Sequence, residues 1–172
     1  MYRPVSLLRS ASKVLEIIVN QQVLQYFEEN SLLPKSQFGF RPKRSTFSAI
    51  ANMHDQWMNN FRAGKSQVIT CFDLSAAFDT LSSSIYCAKL KHYGFDSKSI
   101  KWFQPYMENR KQVVMIGATI SDQVTTNLGS PQGAIISTTI FIVLVADIGL
   151  WSKSKIYSYA ANVRYSKCRW AT

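Results

Sequence analysis

The sequence predicts an α+β protein in which a small antiparallel sheet carries helices on one face. Three observations predict it. Short β-branched and aromatic runs are interspersed with helical stretches in no regular βαβ period. The composition, 47% hydrophobic and 13% aromatic, is that of a globular chain. The one strongly apolar run, from Ala134 to Ala146, contains Ser137, Thr138 and Thr139 and is followed by Asp147. It falls short of the ~18 residues a membrane span requires, so it reads as a buried helix. No repeat, linker or low-complexity tract interrupts the chain, and 172 residues suit one domain or two small lobes sharing a core.

The elements follow in order. A helix is expected from Ala11 to Asn30, capped by Ser10 or Ser12. Its apolar positions (Val14, Leu15, Ile17, Ile18, Val23, Leu24, Phe27) go most of the way round, which predicts burial on more than one side. Pro34, Gly39 and Pro42 punctuate a loop, and a second helix runs from Thr46 to Arg62 and stops at Gly64. Gln67 to Phe72 forms a strand that leaves Asp73 at its C-terminal end. Ser82 to Ser84 cap a helix ending near Gly94, and Ser97 caps the next. There Ile100, Phe103 and Met107 share a face and Pro105 introduces a kink. "QVVMIG" and "QVTTNL" read as paired strands, and "GSPQG" is a turn into the apolar helix. "KIYSYAANVRYSK" closes the chain as a β-hairpin whose tight turn is "AAN".

Charge narrows the partners. Twenty Lys and Arg against ten Asp and Glu give +10 and a pI near 9.7. That surplus favours polyanions, nucleic acid first and an anionic membrane surface second. The basic residues gather at Arg41, Lys43 and Arg44 and again between Lys153 and Arg169. Cys71, Cys87 and Cys168 are odd in number and widely spaced, and His54 and His92 have no ligand partner at helical or hairpin spacing. Neither a zinc site nor a disulfide framework is indicated, which points to a reducing compartment, nucleus or cytoplasm. "YRPVSLLRS" after Met1 lacks the apolar core of a signal peptide.

Among the ten carboxylates, only those of "FDLSAAFD" combine a strand-to-turn context with adjacent aromatics. Asp73 at a strand end suits a hard cation such as Mg2+. It equally suits capping the turn that follows, and the octet alone does not separate the two roles. "GSPQG" adds Gly129 and Gly133 for close backbone approach, Pro131 for stiffness, and Gln132 as donor and acceptor.

"YRPVSLL", "QFGFRPKRST", "FDLSAAFD", "WFQPYMENRKQ" and "GSPQGAIIS" stand in one order along almost the whole chain. In that order and spacing they resemble the reverse transcriptases of non-LTR (LINE-like) retrotransposons. The resemblance implies a right-hand polymerase fold: partial fingers and palm entry over residues 1–66, then a palm over 67–172, with the thumb outside the chain. "FDLSAAFD" and "GSPQG" match family motifs A and B.

Residue by residue, the resemblance implies that Asp73 binds both catalytic metal ions, Mg2+ or Mn2+. Backbone amides at Ser75 and Ala76 would meet the incoming dNTP, as would Arg3. Phe78, five positions after Asp73, would be the steric gate against a ribose 2′-hydroxyl. Gln132 and Gly133 would lie beside the nascent pair, and Arg41, Lys43 and Arg44 would contact RNA template and DNA primer. Asp79 is expected to be structural. Motif C of the family reads Tyr/Phe-Ala-Asp-Asp, whereas the aligned residues here are Tyr159, Ala160, Ala161 and Asn162. Asp147 aligns with a position that is not a metal ligand. The resemblance therefore implies a chain in which the family's two-metal reaction does not run, or a non-catalytic module that binds RNA or DNA.

Overall fold

A computed structural model describes residues 6–74, 76–150 and 155–159, together with the backbone of Trp151 and of 162–170. Among the described residues, five α-helices, a short 3-10 helix and seven strands follow in the order α1 (Ser10–Glu29), α2 (Thr46–Arg62), β1 (Lys65–Asp73), α3 (Ser83–His92), α4 (Ser97–Met107), β2 (Arg110–Gln112), β3 (Met115–Ile116), β4 (Thr119–Ile120), β5 (Val124–Thr126), α5 (Ser137–Val145), the 3-10 turn Ile148–Trp151, β6 (Lys155–Tyr159) and β7 (Asn162–Trp170). The principal sheet is antiparallel with order β1-β7-β6, so β7 is its central strand. This is the expected α+β architecture.

The main core lies among helices. Val23 and Phe27 of α1, Tyr86 and Leu90 of α3, Phe103 and Met107 of α4, and Ile140 to Val143 of α5 form one buried cluster with Ala77 and Leu81. Its centre is α5, whose Ile140, Ile142 and Val143 are fully buried, as its unbroken apolar run predicts. None of the described helices is long and apolar enough to cross a membrane. A smaller cluster of Phe38, Ala49, Met53 and Tyr157, with Trp57 against it, joins α2 to β6. The loop before α2 is tied to the same strand. Phe38 N–H donates to the Ser158 carbonyl at 2.9 Å, Ser158 N–H to that of Ser36 at 3.0 Å, and the Ser158 hydroxyl to Gln37 Oε1.

Four local expectations are corrected. Helix α1 buries one stripe, Glu16–Val23–Phe27, while Val14, Leu15, Ile17 and Ile18 are exposed, because the described elements packed on its core side, chiefly α5 and the Tyr93–Phe95 aromatics, lie along that stripe. Neither Ser10 nor Ser12 caps it. Arg9 holds the cap position without a side-chain bond, and Ser12 instead donates to Glu16 at 3.4 Å. Asp96 rather than Ser97 caps α4, accepting the Ser99 N–H at 2.9 Å, since a carboxylate one residue earlier reaches that donor. The expected pairing of "QVVMIG" with "QVTTNL" is met only at Gln112, opposite Val124, because Met115 and Ile116 fold back on Thr119 and Ile120 instead. β2 pairs with β5 and β3 with β4, and between them Ser121 N–H donates to the Val114 carbonyl while Val114 N–H donates to Ser121 Oγ.

Glu16 explains how α5 is held. The carboxylate is buried, accepting Tyr106 Oη–H at 3.0 Å on one oxygen and the Ile135 N–H at 2.8 Å on the other. Helix α5 has no side-chain cap of its own, so an acid from α1 supplies an acceptor just before its first turn, where the helix dipole favours negative charge. Burial first, and Glu16 second, push the Tyr106 hydroxyl well above the usual phenol range, which keeps it a donor. Thr139 Oγ1 to Asn20 Oδ1 adds a second α1–α5 bond. Glu16→Ala strands these donors in the core and is expected to cost about 3 kcal/mol. A urea unfolding curve unchanged from wild type would remove this role.

Candidate polymerase site

The site begins at one end of the principal sheet. The β1–β7 register sets Asp73 opposite Asn162, and the β6–β7 register sets Tyr159 opposite Asn162 on the other side. Asp73, Asn162 and Tyr159 thus form one row across three strands, with neighbouring Cα atoms about 4.5–5.5 Å apart. Asp73 is exposed. Asn162 is described here by its backbone alone, and Ala161, Ser75 and Arg3 lie outside the described residues.

After β1 the chain makes a tight turn. Ala76 takes a left-handed φ of +52°, and the Asp79 N–H donates to the Ala76 carbonyl at 2.9 Å. A left-handed alanine is a strained position of the kind found where backbone faces a ligand. Phe78, half-buried, is wedged between Phe40 (ring centroids 6.3 Å apart) and Phe141 of α5 (5.5 Å). Its ring is therefore set from both sides, by the loop before α2 and by the core.

The "GSPQG" loop closes on this turn. Gly129 N–H donates to the Leu81 carbonyl and Ser130 N–H to that of Phe78, both at 2.8 Å. Gly129 has φ +78°, and a Cβ there would lie 2.8–2.9 Å from backbone atoms of Phe78 and Asp79. Only glycine allows that approach. Arg110 grips the loop from the other side: its Nη2 donates to the carbonyls of Leu128 at 3.0 Å and Gly129 at 3.1 Å. Gln132 reaches across the gap, its Nε2 donating to Asp79 Oδ1 at 3.1 Å and Oδ2 at 3.3 Å. Gly133 follows, exposed, with φ +103°.

The basic segment divides by role. Arg41 forks onto Glu28, with Nε to Oε1 at 2.7 Å and Nη2 to Oε2 at 2.6 Å, and its Nη1 donates to the Pro34 carbonyl. Its side chain is 5% exposed, so the guanidinium is committed to the fold. Arg44 lies over the Phe38 ring at 5.3 Å, half-buried, and burial lowers its pKa. Lys43 is exposed, held out by a left-handed φ of +58°. The side chains of the second basic stretch, Lys153 to Arg169, lie mostly outside the described ones.

Cation ligands are few. Among the described residues no three His, Cys, Asp or Glu gather to hold a metal ion. A pair of divalent cations roughly 3.5–4 Å apart takes several oxygen ligands. The row at the end of the sheet offers one carboxylate, that of Asp73, while Asn162 is a neutral carboxamide by type, and the neighbouring Ala161, outside the described residues, has no side-chain ligand atom. Asp79 is engaged with Gln132, Glu16 with α5 and Glu28 with Arg41. Asp147 pairs with Lys89 at 2.6 Å beside the end of α5. This donor set does not fit a two-metal centre.

An antiparallel sheet backed by helices, with an acid at the strand end and a glycine loop clasped to the turn after it, is the palm of a right-hand nucleic-acid polymerase. Residues 1–164 match the sequence profile of the family described as reverse transcriptase (RNA-dependent DNA polymerase), and the chain belongs to that family. It is 25% identical over 167 residues to the probable RNA-directed DNA polymerase from transposon X-element of Drosophila melanogaster, covering 94% of this chain and 18% of that protein. It is 28% identical over 148 residues to the RNA-directed DNA polymerase from mobile element jockey of Drosophila funebris, covering 86% and 16%. In fold it resembles the apo telomerase of Candida tropicalis truncated from its C-terminal domain, with TM-score 0.64, 12% identity, and 91% of this chain and 34% of that one covered. A Candida albicans telomerase solved with a fragment of telomeric RNA gives TM-score 0.61 at 11% identity, with 91% and 30% covered.

Arg110 and the Asp79–Gln132 pair were not singled out from the sequence. "ENRKQ" and the second aspartate of "FDLSAAFD" carried the signal, but nothing local tells which carbonyl or amide they would meet.

Two outcomes test this geometry. Gly129→Ala drives a Cβ into the turn after β1 and is expected to cost at least about 2 kcal/mol; an unchanged melting temperature would break the clasp. The Arg41 hydrogen bond, and beyond it the Arg41 and Arg44 charges, hold the Glu28 carboxyl below its ordinary value of 4.5, against the opposing effect of burial. A lowered folded pKa contributes stability that is complete above about pH 4.5 and lost as pH falls through the folded value. Urea midpoints measured from pH 6 to 3 should show this loss in wild type and a smaller one in Glu28→Gln. Equal slopes would refute it.

Proposed function

We propose that the chain is the fingers-to-palm part of a retrotransposon RNA-directed DNA polymerase, one that holds template, primer and nucleotide but does not run the two-metal reaction. Residues 1–66 form the fingers side and palm entry, and 67–172 the palm. One observation carries the second half of the reading: the strand register that sets Asp73 beside Asn162, where a second carboxylate would have to stand.

In this reading Asp73 is the remaining ligand for Mg2+ or Mn2+. Ala76, with Ser75, presents backbone amides to the triphosphate, and Arg3 approaches the same group. Phe78, fixed by Phe40 and Phe141, excludes a 2′-hydroxyl by occupying its space. Gln132 and Gly133 face the nascent pair. Lys43 and Arg44 contact the phosphate backbone, while Arg41 supports them by holding their loop to α1 through Glu28. The +10 charge supports nucleic-acid binding as the property that survives without the chemistry.

The purified chain should bind an RNA–DNA hybrid with an affinity that falls more than about tenfold between roughly 50 and 200 mM salt. It should show no primer extension on an RNA template with Mg2+ or Mn2+. Absence of binding at low salt would dismiss the nucleic-acid-binding reading. Template-dependent incorporation lost in Asp73→Ala would dismiss the inactivity.

A further inference from the structure

Asp79 is unexplained by the turn it sits in. Its own N–H closes that turn through Ala76, so the carboxylate is not needed there. Both its oxygens accept from one group, the Nε2 of Gln132, at 3.1 and 3.3 Å. The main chain on either side is fixed independently. Ser6 N–H donates to the Gln132 carbonyl at 2.9 Å, and Ser130 N–H to the Phe78 carbonyl at 2.8 Å. The two side chains therefore face each other across backbone segments that are themselves pinned.

A glutamine carboxamide has a donating and an accepting end of nearly equal shape, and only its neighbours decide which faces where. An ionised carboxylate accepts and does not donate, so Asp79 admits only the NH2 end. Oε1 is then turned away from the turn, and among the described residues no donor reaches it.

We propose that Asp79 is a positioning residue that sets the polarity of Gln132, so that Gln132 turns an acceptor outward and selects a nucleotide group that donates, a sugar hydroxyl or a base amino group. This rests on the reading proposed above, in which Gln132 faces the nascent pair. Asp79→Asn is the discriminating variant. Its carboxamide nearly matches the carboxylate in volume and can accept through Oδ1 or donate through Nδ2, so it permits both orientations of Gln132. Asp79→Ala removes the partner altogether.

Two measurements on the purified chain decide it, with thermal unfolding of each variant as the folding control. In proton–nitrogen spectra, the Gln132 side-chain pair, assigned by its loss in Gln132→Leu, should be shifted and protected from exchange in wild type. In Asp79→Ala it should move to the position of an exposed glutamine. Identical Gln132 signals in the two proteins would overturn the contact. In the second measurement, binding at an RNA–DNA hybrid is compared for a dNTP against its dideoxy counterpart and for dGTP against dITP, which lacks the base amino group. Wild type should prefer the donor-bearing member of one pair by about five- to tenfold, and Asp79→Asn should lose that preference. No preference in wild type, or one that Asp79→Asn retains, would overturn the polarity. Failure to bind hybrid or nucleotide at all would overturn the fingers-to-palm reading instead, and the spectra would still judge the Asp79–Gln132 pair.

Discussion

The structure turns on a contact that one missing carbon permits. Because Gly129 has no Cβ, the loop before α5 lies against the peptide groups of Phe78 and Asp79, and two backbone hydrogen bonds lock the segments together. The turn after β1 and the start of α5 become one rigid piece. Everything near Asp73 takes its position from that piece: Phe78 against Phe141, Gln132 against Asp79, and Arg110 closing the outer side. Glu16 secures the same piece from α1, at a point where α5 offers no cap of its own.

The bounds of α2 and the position of Asp73 at a strand end were legible in the sequence because local signals agreed there. An amphipathic run from Thr46 that stops at Gly64 delimits a helix, and a β-branched run delimits β1. The burial of α1 was not legible. Its apolar residues surround the axis, and what they pack against is decided by elements distant in the chain. The site divided in the same way. Asp73 and Gln132 stood out by residue type and position, and Phe78 only through the family resemblance, whereas the fork of Arg41 on Glu28 was hidden inside a run of basic residues that reads as a surface.

The acids tell a consistent story. In a chain with twice as many basic as acidic groups, Glu16, Glu28, Asp79, Asp96 and Asp147 each hold a helix end, a loop or a side chain in place. That leaves the end of the sheet with Asp73. Half of the chain's ten carboxylates are thus engaged by the architecture itself.

The strand order has a consequence for how the protein is made. β7 sits between β1 and β6, yet it follows α3, α4 and α5 in the chain. During synthesis β1 emerges early and has no strand to join until β7 leaves the ribosome. Through that interval its unpaired peptide groups and exposed Val68 and Ile69 offer an edge to any other extended chain. Helices α3, α4 and α5 can gather beforehand, because contacts such as those of Lys89 with Leu144 and Asp147 are nearer in sequence. Aggregation of the nascent protein is thus most to be feared late, when the helical half is formed and the sheet still lacks its middle.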